Sequence, residues 1–150
     1  MASTYSMLYA HLVFSTKKRR HLLLPGTRER VWAYIAGIAK ENRIMPVEIC
    51  GVVDHCHALV SMPATLSHAR LAQILKGGST FWIHQTFPEL DGFCWQDGYG
   101  AFSVSRSQVD KVTKYIRGQE AHHLRQSFED EYRELLKKHG ISYREEYLFD

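Results

Sequence analysis

The sequence has 150 residues, of which 45% are hydrophobic and 23% are charged. This balance is typical of one globular domain with its own core, and we expect a single domain over residues 1–150. The 19 Lys and Arg residues are nearly balanced by 16 Asp and Glu residues. The formal net charge of +3 excludes a histone-like protein that binds nucleic acid through its overall charge.

The cysteines and the hydropathy pattern exclude further classes of protein. Cys50, Cys56 and Cys94 are odd in number and form no C-x-x-C pair, so neither a disulfide framework nor a four-cysteine zinc site is expected. No apolar run approaches the roughly 20 residues that a membrane span needs. The N-terminal segment also lacks the layout of a signal peptide. These features predict a cytoplasmic protein without a membrane partner.

The first half of the chain is predicted to contain three strands and one helix. Residues 5–15 are rich in aromatic and branched side chains and contain no breaker, which is typical of a strand. Residues 27–43 carry apolar side chains at helical spacing, and Thr27 is a candidate N-cap. Residues 47–53 and 55–62 are short apolar runs with a tight connection between them, which predicts an antiparallel strand pair.

The second half is predicted to add three helices and one strand. Residues 67–87 have helical periodicity with a weak point or bend expected at Gly77-Gly78, and residues 99–104 follow as a strand. The last two helices, over residues 105–123 and 127–140, each begin at a Ser with capping-box spacing. This order of elements predicts an α+β fold, a ferredoxin-like (RRM-like) antiparallel sheet with helices packed on one face.

The run Asp54-His55-Cys56-His57 carries the most chemical information in the sequence. Side chains two positions apart on a strand point to the same face, so His55 and His57 are expected side by side while Cys56 faces the other way. With a third ligand, the pair could chelate one metal ion. Alternatively, the two histidines are unrelated polar residues of a strand. A zinc site completed by a cysteine is less favoured, because no set of four ligands has paired spacing.

Tyr115 and Gln119 lie about one helical turn apart in the helix predicted to follow Ser105. At about 100° per residue the two side chains share one face, and that face is entirely polar. Its other members are Gln108, Lys111 and His122, whereas the apolar stripe of the helix is formed by Val109, Val112 and Ile116. Such a face suits either a catalytic centre or ordinary solvation, with Tyr115 as an amphipathic packing residue.

Five blocks of sequence, in order, span essentially the whole chain: HLVFSTK (11–17), DHCH (54–57), WQDGYGAFSVS (95–105), YIRGQE (115–120) and HH (122–123). Together they resemble the TnpA-type single-tyrosine transposases of bacterial insertion sequences, an IS200-like family of the HUH class, which is named for two histidines around a bulky apolar residue. Cys56 departs from the family, which usually has an apolar branched residue there. It is itself a small hydrophobic residue that faces away from the metal side, so no impairment is expected.

The resemblance implies a DNA transposase that cleaves and rejoins single-stranded DNA. In this family a tyrosine, here Tyr115, attacks a phosphodiester and forms a 5′-phosphotyrosine link. The H-x-H pair, here His55 and His57, and a glutamine one turn beyond the tyrosine, here Gln119, hold Mg²⁺ or Mn²⁺. Two imidazole ligands by themselves favour a softer ion, so Mn²⁺ agrees with both arguments.

The resemblance also implies the partners, which are single-stranded DNA with hairpin ends and a second copy of the chain in a homodimer with shared active sites. Gly118 is compatible with a tyrosine helix that moves between sites, and equally with simple close packing. DNA phosphates are expected to contact basic side chains, and bases to stack on aromatic ones. The candidate phosphate-binding residues are Lys17, Lys18, Arg19, Arg20, Lys76, Arg106, Lys114 and Arg117, and the candidate stacking residues are Trp95, Tyr99 and Phe102.

Two other functions compete with transposition. One is a catalytically silent regulator that binds single-stranded DNA or RNA on the same scaffold, and the other is a metal-dependent phosphodiesterase that uses an activated water. The presence of all four implied site residues argues against the silent regulator, because loss of catalysis would remove the reason to keep them.

Overall fold

A computed structural model describes residues 2–149, so Met1 and Asp150, the two ends of the expected domain, lie outside the described residues. The strands are β1 (Tyr9–Ser15), β2 (Met45–Gly51), β3 (His55–Ser61) and β4 (Gly100–Val104). The helices are α1 (Thr27–Glu41), α2 (His68–Thr86), α3 (Val109–Arg117), α4 (Gln119–His122) and α5 (Phe128–Lys138). Neighbouring strands pair antiparallel in the order β2-β3-β1-β4. This is the split βαβ topology, and it confirms the predicted α+β fold class.

The sheet separates two layers of helices because side chains alternate between its faces. On one face, Leu12 and Phe14 of β1 and Ala58 of β3 pack in a core with α1 and α2, which supply Ile35 and Leu75. These two helices lie together on one face, as expected.

The opposite face of the sheet is also covered, which the sequence did not predict. Val13 of β1 packs with Phe128 and Tyr132 of α5, and Leu59 of β3 packs with Val109 and Ile116 of α3. The apolar stripes of these C-terminal helices are therefore buried against the second face. This layer brings α3 and α5 over the face that carries His55 and His57.

Two predicted boundaries at the start of the fold are corrected by the structure. The first strand begins at Tyr9 rather than at residue 5, because the partner strands end at Ser61 and Val104, both opposite Tyr9. The N-cap of α1 is Gly26 rather than Thr27. Its φ of +90° favours glycine, and its backbone N–H donates to Glu29 at the third helical position.

The weak point or bend expected at Gly77-Gly78 does not interrupt α2, which is one continuous helix from His68 to Thr86. A Cβ at Gly78 would lie 2.9 Å from Cδ1 of Ile38. The glycine therefore allows α1 and α2 to approach each other closely rather than bending α2.

The single helix predicted over residues 105–123 is divided in the structure. A short 3-10 turn covers Arg106–Gln108, and Gly118 separates α3 from α4. The expected capping box at Ser105 is absent, since the Ser105 side chain makes no cap and its Oγ lies 3.1 Å from Oγ of Ser107. Ser127, by contrast, caps α5 by accepting a hydrogen bond from the backbone N–H of Asp130 at 3.2 Å. Within residues 2–149, no helix is both long and apolar enough to span a membrane.

Candidate metal and tyrosine site

The two histidines of β3 stand side by side on the face of the sheet that α3 and α5 cover. Their ring centroids are 5.1 Å apart, and both side chains are fully buried. Cys56 points into the core with α1 and α2. The strand alternation therefore places the pair as the sequence predicted.

A neighbouring polar group holds each imidazole at its Nδ1 atom. Nδ1 of His55 lies 2.8 Å from Oδ1 of Asp54, and Nδ1 of His57 lies 2.8 Å from Nε2 of the buried His11. When a proton occupies each Nδ1, the Nε2 lone pairs point toward a common centre. Such orienting contacts are the usual support of metal-binding histidines. Neither orienting residue, Asp54 or His11, is predicted from the sequence.

Gln119 begins α4 and is completely buried beside His55. Its Oε1 atom lies 3.0 Å from Nε2 of His55. The adjacent Glu120 receives a 2.6 Å hydrogen bond from Arg28 of α1, which ties α4 to the other helical layer. The structure therefore brings together the three predicted metal ligands.

Tyr115 lies on α3 with its half-buried ring next to the histidines. The ring packs edge-on against His57 with centroids 5.7 Å apart, and edge-on against His122 with centroids 5.4 Å apart. Its hydroxyl donates a hydrogen bond to Glu131 of α5. Within one chain, Tyr115 thus lies beside the chain's own histidine pair.

Glu131 is the main site residue that sequence reasoning missed. Its side chain is buried, accepts hydrogen bonds from Tyr115 and Gln119, and lies 3.0 Å from His57 and 3.1 Å from His123. A signal was present in the sequence, because Glu131 is an acidic residue on the apolar stripe of α5. The buried neighbours on that stripe are Phe128, Tyr132 and Leu136.

The charges of the cluster are strongly coupled. Burial lowers the pKa of His55, but its hydrogen bonds to Asp54 and Glu131 outweigh burial and raise that pKa to about 9. Burial likewise raises the pKa of Glu131, yet the surrounding imidazoles, led by His57, hold it well below its usual range. Burial and the Glu131 carboxylate raise the pKa of the Tyr115 hydroxyl above its usual value, so the phenol is protonated at neutral pH.

The donor set fits a divalent metal ion. One ligand atom from each of His55, His57, His123 and Glu131 lies within 4.8 Å of the other three. Imidazole nitrogen and carboxylate oxygen together suit first-row ions such as Mn²⁺. Nε2 of the adjacent His122 is buried without a hydrogen-bond partner, although it lies 3.3 Å from Oε2 of Glu131. The cluster thus contains more donors than its internal hydrogen bonds use.

Two cavities approach the cluster from solvent. One of about 510 Å³ is lined by Tyr115 and Glu131 and by the predicted polar face residues Gln108, Lys111 and His122. The other, of about 1150 Å³, is lined among others by Asp54, His123, Lys18 and Arg19. A phosphate group can therefore approach Tyr115 through the smaller cavity and His123 through the larger one, whereas His55 and His57 line neither.

Of the predicted phosphate-binding residues, Lys18 and Arg19 line the larger cavity, and Arg20, Arg106 and Lys114 are exposed elsewhere on the surface.

The other three predicted phosphate-binding residues contact other parts of the chain. Lys17 lies 3.3 Å from the Asp97 carboxylate, and Lys76 donates to the backbone carbonyl oxygens of Asp97 and Gly98. Arg117 donates a 2.7 Å hydrogen bond to Glu48.

The predicted stacking residues are corrected in part. Trp95 is buried and donates to Oγ of Ser79, and Phe102 is buried in the core beneath α5. Neither ring is available to a DNA base. Tyr99 is half-buried, and its hydroxyl lies 3.0 Å from Nδ1 of His68.

Comparison with known proteins identifies several transposases that are similar to most of this chain. Residues 4–119 match the family described as "Transposase IS200 like". The transposase for insertion sequence element IS200 of Salmonella typhimurium is 28% identical over 116 residues, covering 73% of this chain and 74% of that protein. The ISDra2 transposase TnpA of Deinococcus radiodurans is 25% identical over 120 residues, covering 77% of this chain and 85% of that protein.

Solved structures share the fold. A crystal structure of a transposase candidate from Deinococcus radiodurans R1 superimposes with a TM-score of 0.66 at 23% identity, covering 79% of this chain and 95% of that chain. A REP-associated tyrosine transposase bound to a REP hairpin superimposes with a TM-score of 0.59 at 13% identity, covering 82% and 74%. Since the family match covers well over half of its residues, this chain belongs to the IS200-like transposase family.

Proposed function

We propose that this chain, as one transposase domain over residues 1–150, cleaves and rejoins single-stranded DNA at insertion-sequence ends in a metal-dependent reaction. One observation carries the proposal: the Tyr115 hydroxyl, the His55 and His57 rings and the Gln119 amide converge in one cluster between two open cavities. If the polar helix face were only solvated, Gln119 would be exposed to water, whereas it is completely buried against His55.

In this proposal Tyr115 is the nucleophile. Its phenol oxygen bonds to the phosphorus of a phosphodiester, and the bond from phosphorus to the 3′ oxygen breaks. The phenol loses its proton, and the departing 3′ oxygen gains one. The products are a 5′-phosphotyrosine link and a free 3′-hydroxyl. Because the new ester resembles the old one in energy, a different 3′-hydroxyl can reverse the step, which suits strand transfer.

His55, His57 and Gln119 would hold Mg²⁺ or Mn²⁺, and the nitrogen donors favour Mn²⁺. Held there, such an ion would neutralise charge on phosphate oxygens and favour the phenolate form of Tyr115. Asp54 and His11 keep the two imidazoles oriented. Lys111 lines the smaller cavity with Tyr115, where its amine can attract the phosphate.

The proposed substrate is single-stranded DNA with a hairpin end. Support comes from the structural relative that was solved bound to a REP hairpin. Lys18 and Arg19 line the larger cavity beside the histidine cluster and would contact phosphates there. We also propose that the chain acts as a homodimer.

The test is to incubate the purified chain with a hairpin-bearing single strand and Mn²⁺, and then to look for a protein–DNA adduct that survives denaturant. Wild type is expected to form the adduct, and Tyr115→Phe to form none. Tyr147→Phe, at an exposed tyrosine far along the chain, is the matched control. An adduct in Tyr115→Phe would refute the proposed nucleophile. Cleavage without any adduct would indicate the phosphodiesterase, and binding without cleavage the silent regulator.

A further inference from the structure

The two carboxylate oxygens of Glu131 face different parts of the site. Oε1 lies 3.0 Å from Nε2 of His57, 3.1 Å from Nε2 of His123 and 3.4 Å from Nε2 of His55. Three imidazoles thus converge on one oxygen. One ligand atom from each of these four residues lies within 4.8 Å of the other three, which is close enough for one ion.

The other oxygen faces the nucleophile. Oε2 accepts the hydrogen bond from the Tyr115 hydroxyl and a 3.2 Å hydrogen bond from Nε2 of Gln119. It also lies 3.3 Å from the otherwise unpartnered Nε2 of His122. The planar carboxylate therefore spans the distance between the imidazole cluster and the phenol.

Burial makes this position costly for a carboxylate unless its partners compensate for the lost hydration. The Glu131 side chain is 2% exposed, and its helix otherwise contributes Phe128, Tyr132 and Leu136 to this face of the sheet. Burying an ionised carboxylate costs several kcal/mol unless positive charge and hydrogen bonds compensate. A divalent cation at the centre of these imidazoles would supply both positive charge and ligation.

We propose that Glu131 is a bridging carboxylate, which ligates the divalent ion through Oε1 and positions the Tyr115 hydroxyl beside that ion through Oε2. The inference deepens the proposed function and rests on it. Glu131 lies on α5, outside residues 4–119 that match the transposase family, so that match does not assign it a role. The ligand set then contains the two imidazoles of β3 and the Glu131 carboxylate, and His123 and the Gln119 amide each lie close enough to supply a fourth ligand.

A fourth protein ligand changes what the site can do. An ion that takes six ligands would still have room for a phosphate oxygen beside four protein ligands. Bridging also fixes the distance between nucleophile and ion before DNA binds, and such preorganisation lowers the barrier of the chemical step.

The first measurement is Mn²⁺ affinity by calorimetry on the metal-free full chain, without DNA. Glu131→Gln is expected to weaken Mn²⁺ binding by at least about 10-fold, in line with losses seen when groups around metal sites are removed. Glu41→Gln changes an exposed carboxylate at the end of α1, outside the residues that line either cavity, so it removes the same charge and is expected to bind Mn²⁺ like wild type. Equal affinities of wild type and Glu131→Gln would overturn the ligand role.

The second measurement is the single-turnover rate of adduct formation at saturating Mn²⁺. Glu131→Gln is expected to lower this rate at least about 10-fold, because the Tyr115 phenol is no longer held in position. Its KM for DNA is expected to stay within about 2-fold of wild type, because the contacts with the substrate are unchanged. A wild-type rate in Glu131→Gln at saturating Mn²⁺ would overturn the positioning role. If circular dichroism shows that Glu131→Gln does not fold, Glu131→Asp takes its place in both measurements. This variant keeps the carboxylate on a shorter side chain.

The two proposals fail differently. If wild type binds no Mn²⁺, the metal dependence of the proposed function is wrong, whatever Glu131 does. If wild type binds Mn²⁺ and His57→Ala does not, while Glu131→Gln binds normally, the proposed function stands and the bridge is wrong.

Discussion

Oδ1 of Asp54 lies 2.8 Å from Nδ1 of His55, so a carboxylate at the end of the β2–β3 connection sets the orientation of an imidazole on β3. With a proton on Nδ1, the Nε2 lone pair of His55 points at Gln119. The carboxylate side chain is mostly buried, which strengthens this contact relative to one in water. The arrangement is a carboxylate–histidine pair of the kind that supports metal ligands.

We therefore predict that Asp54→Ala weakens Mn²⁺ binding by about 10- to 100-fold, since His55 loses the group that fixes its tautomer and ring orientation. Calorimetry on the metal-free chain measures this directly. Asp91→Ala is the control, because Asp91 is exposed and far along the chain from β3. Wild-type affinity in Asp54→Ala would show that the 2.8 Å contact has no bearing on the ion.

The pH dependence of stability is a second prediction and concerns the metal-free protein. Burial lowers the pKa values of His11 and His57 below 6.5, so folding favours their neutral forms. A lowered histidine pKa contributes stability above the unfolded value of 6.5 that is lost as the pH falls. His55 has the opposite sign, because its pKa of about 9 contributes stability below 6.5 that is lost as the pH rises toward 9.

The free energy of unfolding should therefore be highest near pH 6.5 and fall on both sides of it. Urea unfolding in the presence of a chelator, at a series of pH values from about 5 to 9, measures this curve. The control is His55→Gln, which should remove the decline on the alkaline side and keep the decline on the acidic side. A flat curve for wild type would contradict the assignment of these charges.

The sequence predicted the parts of the site that depend on local periodicity. Strand alternation was sufficient to place His55 and His57 on one face, and helical spacing brought Tyr115 near Gln119. Helix packing was harder to predict. The glycine pair of α2 resembles a breaker in the sequence, yet in the structure Gly78 lies against the side chain of Ile38, forty residues earlier.

Long-range contacts account for what was missed. Glu131 and His57 are 74 positions apart, and His11 and His57 are 46 positions apart. No local pattern connects these pairs, since their contact depends on β1 pairing with β3 and on α5 crossing the same face. The acidic residue on the apolar stripe of α5 was a usable signal, because burial of a lone carboxylate requires partners.

The turn before β3 gives a prediction about stability. A Cβ at Gly51 would lie 2.0 Å from the carbonyl oxygen of His55, which is backbone and cannot move without disturbing the β2–β3 pair. Gly51→Ala should therefore destabilise the fold by about 2–4 kcal/mol, beyond the usual cost of overpacking. Gly37→Ala is the control, since its Cβ meets nothing within 4 Å in α1 and should stabilise the helix by about 0.5–1 kcal/mol. Equal stabilities of the two variants in urea would refute this account.

Assembly of the active site can be tested by mixing two inactive variants. A homodimer with shared sites, the arrangement expected from the family resemblance, would combine the tyrosine of one subunit with the histidines of the other. In the structure, however, Tyr115 already packs against His57 of its own chain at 5.7 Å between ring centroids. A Cβ at Gly118 would make only an ordinary 3.4 Å contact with the Lys114 carbonyl oxygen, so close packing does not explain that glycine.

We predict from this geometry that a mixture of Tyr115→Phe and His57→Ala forms no denaturant-resistant adduct with hairpin DNA. Co-expression and purification of the mixed species, followed by gel analysis of the adduct, provide the measurement. The control mixture pairs Tyr115→Phe with wild type and should retain activity. Recovery of the adduct in the first mixture would establish sharing between subunits.

The last prediction concerns Lys18, which lies in the basic loop after β1 and lines the larger cavity next to the site. Lys18 and Arg19 both have positive φ values, 57° and 53°, in a region that residues other than glycine seldom occupy. Such strain persists where the surrounding structure imposes it, often at binding sites. A lysine held there would contact one phosphate of a strand that enters the cavity.

Lys18→Ala should therefore weaken binding of single-stranded DNA. The slope of log affinity against log salt concentration should become shallower by about 0.7, the value for one phosphate contact with a single strand. Fluorescence anisotropy over a series of salt concentrations measures both quantities. Lys40→Ala is the control, because Lys40 is an exposed lysine at the end of α1, outside the residues that line either cavity, and its slope should equal that of wild type. If both lysine variants reduce the slope equally, the cavity has no special part in binding and the DNA follows another path across the surface.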